Sequence, residues 1–144
     1  MVDRARVEQL LALLERYVRI LRDLSTTPLT EFTADPRSYG SAERFLQLAI
    51  ETTLSVGHHV IAEGALGQPR TYAEVFSVLG REGVLEAAFA EALAPMARMR
   101  NRLVHHYEDV AAEQVHTILL TRLGDFDRFA AQVMVYLDRP DADS

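Results

Sequence analysis

The densest run of chemically able groups in this chain is Arg98-Met99-Arg100-Asn101-Arg102-Leu103-Val104-His105-His106-Tyr107. On a helix, Asn101 and His105 stand four residues apart and share a face. Arg100 precedes His105 by about 7.5 Å of axial rise, a gap its long side chain can close. Three phosphate-competent groups therefore converge on one spot. Cleaving RNA without a metal needs a base for the 2′-hydroxyl proton, an acid for the leaving oxygen and a cation over the developing phosphorane charge. Histidine titrates near neutrality and serves as base or acid, while arginine stays charged and presents a fork of donors. One histidine per site supplies one proton-transfer group, so two chains would have to bring their motifs together across a two-fold axis.

Spacing alone carries little of this. All 15 basic residues are Arg, and with five His in 144 residues about 0.5 occurrences of Arg-x4-His arise by chance. Arg100 also reaches His106 with five residues between, so spacing leaves the working histidine open. The plain alternative makes Arg100 and His105 cationic partners of a helix C-terminus and Tyr107 a packing residue with its hydroxyl outside. Arg98 and Arg102 either widen a phosphate-binding patch or form a solvated face. His58-His59 with Glu63 has a spacing that could hold a metal, but reads as a surface pair. Glu113-x-x-His116 has di-iron spacing, yet only one such motif is present where two are needed, so no metal or other cofactor is expected. Tyr39 and Glu43 fit either a dimer interface or the start of a helix.

The elements that must position these groups read as helices. Val7, Leu10, Leu11, Leu14, Tyr17, Val18, Leu21 and Leu24 recur at three- and four-residue spacing, which predicts a first long helix over Arg4 to Leu24. STTPLTEFTADPR breaks the period. Asp35-Pro36 then looks like an N-cap and first-turn proline opening a second long helix to Glu63, ended by Gly64 and Gly67-Gln68-Pro69. The capping box Thr71-Tyr72-Ala73-Glu74 starts a short third helix that stops near Gly80. A fourth, from near Val84 to about His106, buries Leu85, Phe89, Leu93, Met96, Leu103 and Val104, with a bend at Pro95. A fifth runs from about Ala112 to Asp138, using Val115, Ile118, Leu119, Phe126, Phe129, Val133 and Leu137. Nothing reads as a strand. The expectation is an all-α antiparallel bundle of about five helices, one domain over residues 1–144, with a disordered tail from about residue 139.

Composition agrees with a globular domain, at 49% hydrophobic and 25% charged residues. No apolar run approaches the roughly 20 residues needed to cross a bilayer, and the charged start MVDRARVEQL does not read as an export signal. A cytoplasmic location with no membrane association is expected. The absence of cysteine excludes disulfides and thiolate chemistry. A net charge of −6 counts against a broad nucleic-acid-coating surface but permits a local basic site.

The stretch Arg100-Asn101-Arg102-Leu103-Val104-His105-His106-Tyr107 resembles the R-x4-H-x-Y signature of HepT-like HEPN proteins, with Arg100, His105 and Tyr107 in its fixed places. Tyr39 to Glu51 is similar to the family's second-helix block. Tyr72-Ala73-Glu74-Val75-Phe76 with Gly83-Val84-Leu85 is similar to the segment leading into its catalytic helix. The similarity covers most of the chain from Tyr39 to about Phe129. The resemblance implies a HEPN-like helical fold and a homodimeric, metal-independent ribonuclease toxin whose two motifs face each other across a cleft. Its catalytic residues would be Arg100 and His105, with Asn101, Arg102 and His106 in support. It also implies an RNA substrate and a nucleotidyltransferase (MntA-like) antitoxin partner that can transfer AMP to the motif tyrosine, here Tyr107. The other reading is a non-catalytic helical module that docks and regulates such a nucleotidyltransferase; the acidic net charge favours it, because acidic surfaces repel RNA.

Overall fold

Asp3 accepts a hydrogen bond from the Arg6 amide at 3.2 Å and so caps α1, Arg4–Ser25. This computed structural model describes residues 2–140. The buried residues of α1 are Val7, Leu10, Leu14, Val18 and Leu21, one stripe at helical spacing that packs along α3, Pro36–Glu63. Asp35 caps α3 by accepting from the Arg37 amide at 2.9 Å, and Pro36 fills a first-turn position where no amide donor is needed. Gly64 takes the C-cap of α3, and Gly67, at φ +153°, holds a backbone conformation that side chains disfavour. Both breakers fall where the sequence put them.

The expected five helices are eight among the described residues, with no strand. The link after α1 contains α2, Leu29–Ala34, which the sequence reading left without structure. Its six residues are too few to show a period, yet Phe32 is fully buried. The ring of His116 lies 5.0 Å from that of Phe32, and His116 Nε2 is 2.9 Å from the Thr27 carbonyl oxygen. His116 therefore fastens the later helices to this link. Removing the Phe32 ring empties a site with no solvent exposure. Phe32→Ala is expected to cost about 3–5 kcal/mol in urea unfolding, and a loss below about 1 kcal/mol would show that α2 contributes little.

After α4, Tyr72–Arg81, the long fourth helix of the sequence reading is two helices. They are α5, Ala87–Ala92, and α6, Ala94–His105. The anticipated bend at Pro95 is corrected accordingly: the chain breaks at Leu93, and Pro95 sits in the first turn of α6, where its missing amide costs no intrahelical bond. The fifth helix is likewise two, α7, Ala112–Thr121, and α8, Gly124–Leu137. Asp125 and Asp127 occupy the first turn of α8, the end of a helix that favours acids. Of the tail expected from about residue 139, Arg139 donates to the Gly83 carbonyl at 3.1 Å, and residues 141–144 lie outside the described residues.

Two close approaches set the geometry around the site. A Cβ on Gly57 of α3 would meet Val75 Cγ1 of α4 at 2.6 Å, so glycine there lets α4 lie directly against α3. Phe76 of α4 and Phe129 of α8 meet edge to face, with centroids 6.4 Å apart. No helix among the described residues is long and apolar enough to cross a membrane.

Glu43 is half-buried on α3, and desolvation pushes its carboxyl above the usual carboxylate range. A raised folded-state value means that the folded chain holds this proton more tightly than the unfolded chain. The resulting stability is fully present at acid pH and is lost as pH rises through the folded value. In paired thermal melts, the stability difference between wild type and Glu43→Gln should shift in the wild type's favour from pH 7 toward pH 4. A difference independent of pH would contradict it.

Candidate active site

Helix α6 delivers the motif. Its buried residues Ala97, Met99 and Leu103 anchor one stripe in the core, and Arg100, Asn101 and His105 open into a cleft of about 540 Å³. The opposite wall is His58 of α3 with Arg70 and Tyr72 at the start of α4. A neighbouring cavity of about 360 Å³ shares His58, Tyr72 and Arg100 and adds Glu51 of α3.

Arg100 is held from three directions. Its Cζ lies 4.6 Å from the centre of the Tyr72 ring, its Nη1 donates to Asn101 Oδ1 at 3.3 Å, and its Nε is 3.4 Å from Glu51 Oε1. The last contact is an ion pair rather than an aligned hydrogen bond, because Nε is buried without a hydrogen-bond partner. Gln47 Nε2 donates to the same Glu51 oxygen at 3.2 Å. With only 16% of its side chain exposed, the guanidinium is largely desolvated and fixed in orientation. A cation prepared in this way costs little reorganisation when charge develops beside it.

His105 is exposed and is the last residue of α6. It shares the larger cavity with Arg100 and Asn101. Arg102 is elsewhere: it donates to Gln114 Oε1 at 3.3 Å and to the Asp109 carbonyl at 3.1 Å. Together with Arg98 it lines a separate, mainly apolar cavity of about 350 Å³ that includes Ile50, Met99 and Ile118. His106 caps the C-terminus of α6 and does not line the cleft. It lies with Glu108 and Asp109 in an exposed group whose candidate ligand atoms are within 4.8 Å of one another. Tyr107 opens a single 3₁₀ turn, Tyr107–Asp109. At 63% exposure it is not a packing residue.

A half-buried guanidinium and an accessible imidazole in one open cleft are the parts of a phosphodiester site. The family model described as ribonuclease HepT-like matches residues 14–133. The chain belongs to the HepT-like ribonuclease family. Among its HepT relatives, a tRNA nuclease HepT of Aphanizomenon flos-aquae (strain 2012/KM1/D3) is 28% identical over 131 residues, which is 91% of this chain and 89% of that protein. An mRNA nuclease HepT of Shewanella oneidensis is 25% identical over 84 residues, covering 58% of this chain and 63% of that protein. The fold is that of a solved Shewanella oneidensis HEPN toxin, tri-AMPylated and in complex with an MNT antitoxin. The two superpose with a TM-score of 0.84 at 21% identity, over 94% of this chain and 99% of that one.

Within this HepT-like site, sequence reasoning missed Glu51, His58, Arg70 and Tyr72. Tyr72 was read only as a helix start and His58 as half of a surface pair. A signal was available on α3, where Glu51, Ser55 and His58 fall at four- and three-residue spacing, a polar stripe on an otherwise buried helix. Nothing in the sequence said that this stripe would face α6.

Proposed function

We propose that this chain is the toxin of a toxin–antitoxin pair and a metal-independent endoribonuclease. The observation that carries the reading is the opening of Arg100 and His105 into one cleft, the guanidinium fixed and largely desolvated and the imidazole accessible. The nuclease names of the HepT relatives support it. An imidazole takes the 2′-hydroxyl proton, O2′ attacks phosphorus, and Arg100 offsets the charge that builds on the non-bridging oxygens. The products are a 2′,3′-cyclic phosphate and a 5′-hydroxyl, because the attacking oxygen belongs to the substrate. In the homodimer the two R-x4-H-x-Y motifs meet across the two-fold cleft.

The same reading gives the switch. Tyr107 stands exposed two residues beyond His105, where a nucleotidyltransferase antitoxin can reach its hydroxyl. An AMP there places an anion at the mouth of the cleft and repels RNA phosphates. The test is expression of this chain alone in cells. Wild type should arrest growth, His105→Ala should not, and co-expression of the cognate nucleotidyltransferase should relieve the arrest. Equal growth defects from wild type and His105→Ala would overturn the catalytic reading in favour of a docking module.

A further inference from the structure

Transfer of two protons needs two groups, and the motif supplies one imidazole per chain. The other four histidines are sorted by their surroundings. His116 is committed to the Thr27 carbonyl, His59 is half-buried with its Nε2 out of solvent, and His106 lies outside the cleft. His58 is different. It is exposed on α3, lines both adjoining cavities with Tyr72 and Arg100, and shares the larger one with His105. Its ring stands edge-on to Tyr72, centroids 6.4 Å apart at 78°, which fixes the ring plane. Neither ring nitrogen has a hydrogen-bond or ion-pair partner among the described residues. The charged and titratable groups around it are Glu51 of α3, Arg70 and Tyr72 at α4, and Arg100 and His105 of α6.

We propose that His58 is the second proton-transfer group of this cleft, so that a single chain carries acid, base and cation for RNA cleavage. This rests on the ribonuclease reading above. One imidazole, neutral, takes the proton from the 2′-hydroxyl as the O2′–P bond forms. The other, protonated, gives its proton to O5′ as the P–O5′ bond breaks. The two rings leave the step with their protonation exchanged, and water restores them. The dimer then sets two complete sites side by side rather than assembling one from two halves.

The test is single-turnover cleavage of a single-stranded RNA by wild type, His58→Ala and His58→Gln from pH 5 to 9. Thermal melts check folding, since His58 is exposed and its removal leaves the core intact. A second substrate carries sulfur in place of the 5′-oxygen at the mapped cut site, a leaving group that needs no proton. Both His58 variants should lose about 10²–10⁴-fold in rate with RNA affinity retained, and the bell-shaped pH profile should lose one limb. The sulfur substrate should restore the rate of either His58→Ala or His105→Ala, and not both, identifying the acid. Wild-type rate and profile in the His58 variants, with Arg100→Ala inactive, would overturn the proposal and leave the ribonuclease reading standing. Rescue of neither histidine variant would also overturn it. If wild type itself leaves RNA intact, the ribonuclease reading fails first.

Discussion

His105→Ala is expected to lower the rate of RNA cleavage by about 10²–10⁴-fold, the range for loss of a general acid or base, while RNA affinity changes by no more than a few-fold. The side chain is exposed at the end of α6 and makes no hydrogen bond or ion pair among the described residues, so its removal should leave the fold within about 0.5 kcal/mol of wild type. Activity would therefore fall without a fall in melting temperature. That separation is what makes the variant informative. If His105 were only a favourable charge at a helix C-terminus, the effect would be reversed: a few tenths of a kcal/mol in stability and no change in rate.

Arg100→Lys is the second large effect, about 10²–10³-fold in rate, comparable to the loss of one oxyanion donor. The substitution keeps the charge and removes the geometry. The guanidinium lies flat over Tyr72 while its edge meets Glu51 and Asn101, and an ammonium has no plane with which to do both. Lysine is preferable to alanine here because Arg100→Ala would leave the Glu51 carboxylate partly buried without its cation, and a loss of folding would then mix with the loss of chemistry. Wild-type turnover in a folded Arg100→Lys protein would mean that a positive charge alone suffices and that the stacked geometry is incidental.

How far the sequence reaches is clear from particular residues. The stripes of α1 and α3 were readable because each repeats over more than twenty residues, and their ends were readable because Asp35-Pro36 and Gly64 act locally. Breaks inside an unbroken apolar period were not readable: Leu93 is itself fully buried, so the pattern runs straight through the point where α5 stops and α6 begins. Phe32 shows the converse, a helix too short to have a period that is nonetheless fixed by burial. In the site, Arg100, Asn101 and His105 come together because all three lie on one face of α6, a local property. Glu51, His58 and Tyr72 reach Arg100 only through the packing of α3, α4 and α6. That packing depends in part on the missing side chain at Gly57, a long-range matter that no motif records. Arg102 is two residues from Arg100 on a helix and so points away from it, toward Gln114 and Asp109.

The central claim is that Arg100 and His105 act on the same RNA linkage without a metal. The most direct measurement is incubation of purified wild-type protein with a single-stranded RNA in excess EDTA, followed by analysis of the new ends. A matched RNA carries one 2′-deoxynucleotide at the mapped cut site. The account predicts 2′,3′-cyclic phosphate and 5′-hydroxyl ends, with cleavage abolished at the deoxy position and nowhere else. Loss of cleavage in EDTA, 5′-phosphate ends, or cutting that persists at the deoxy position would contradict it.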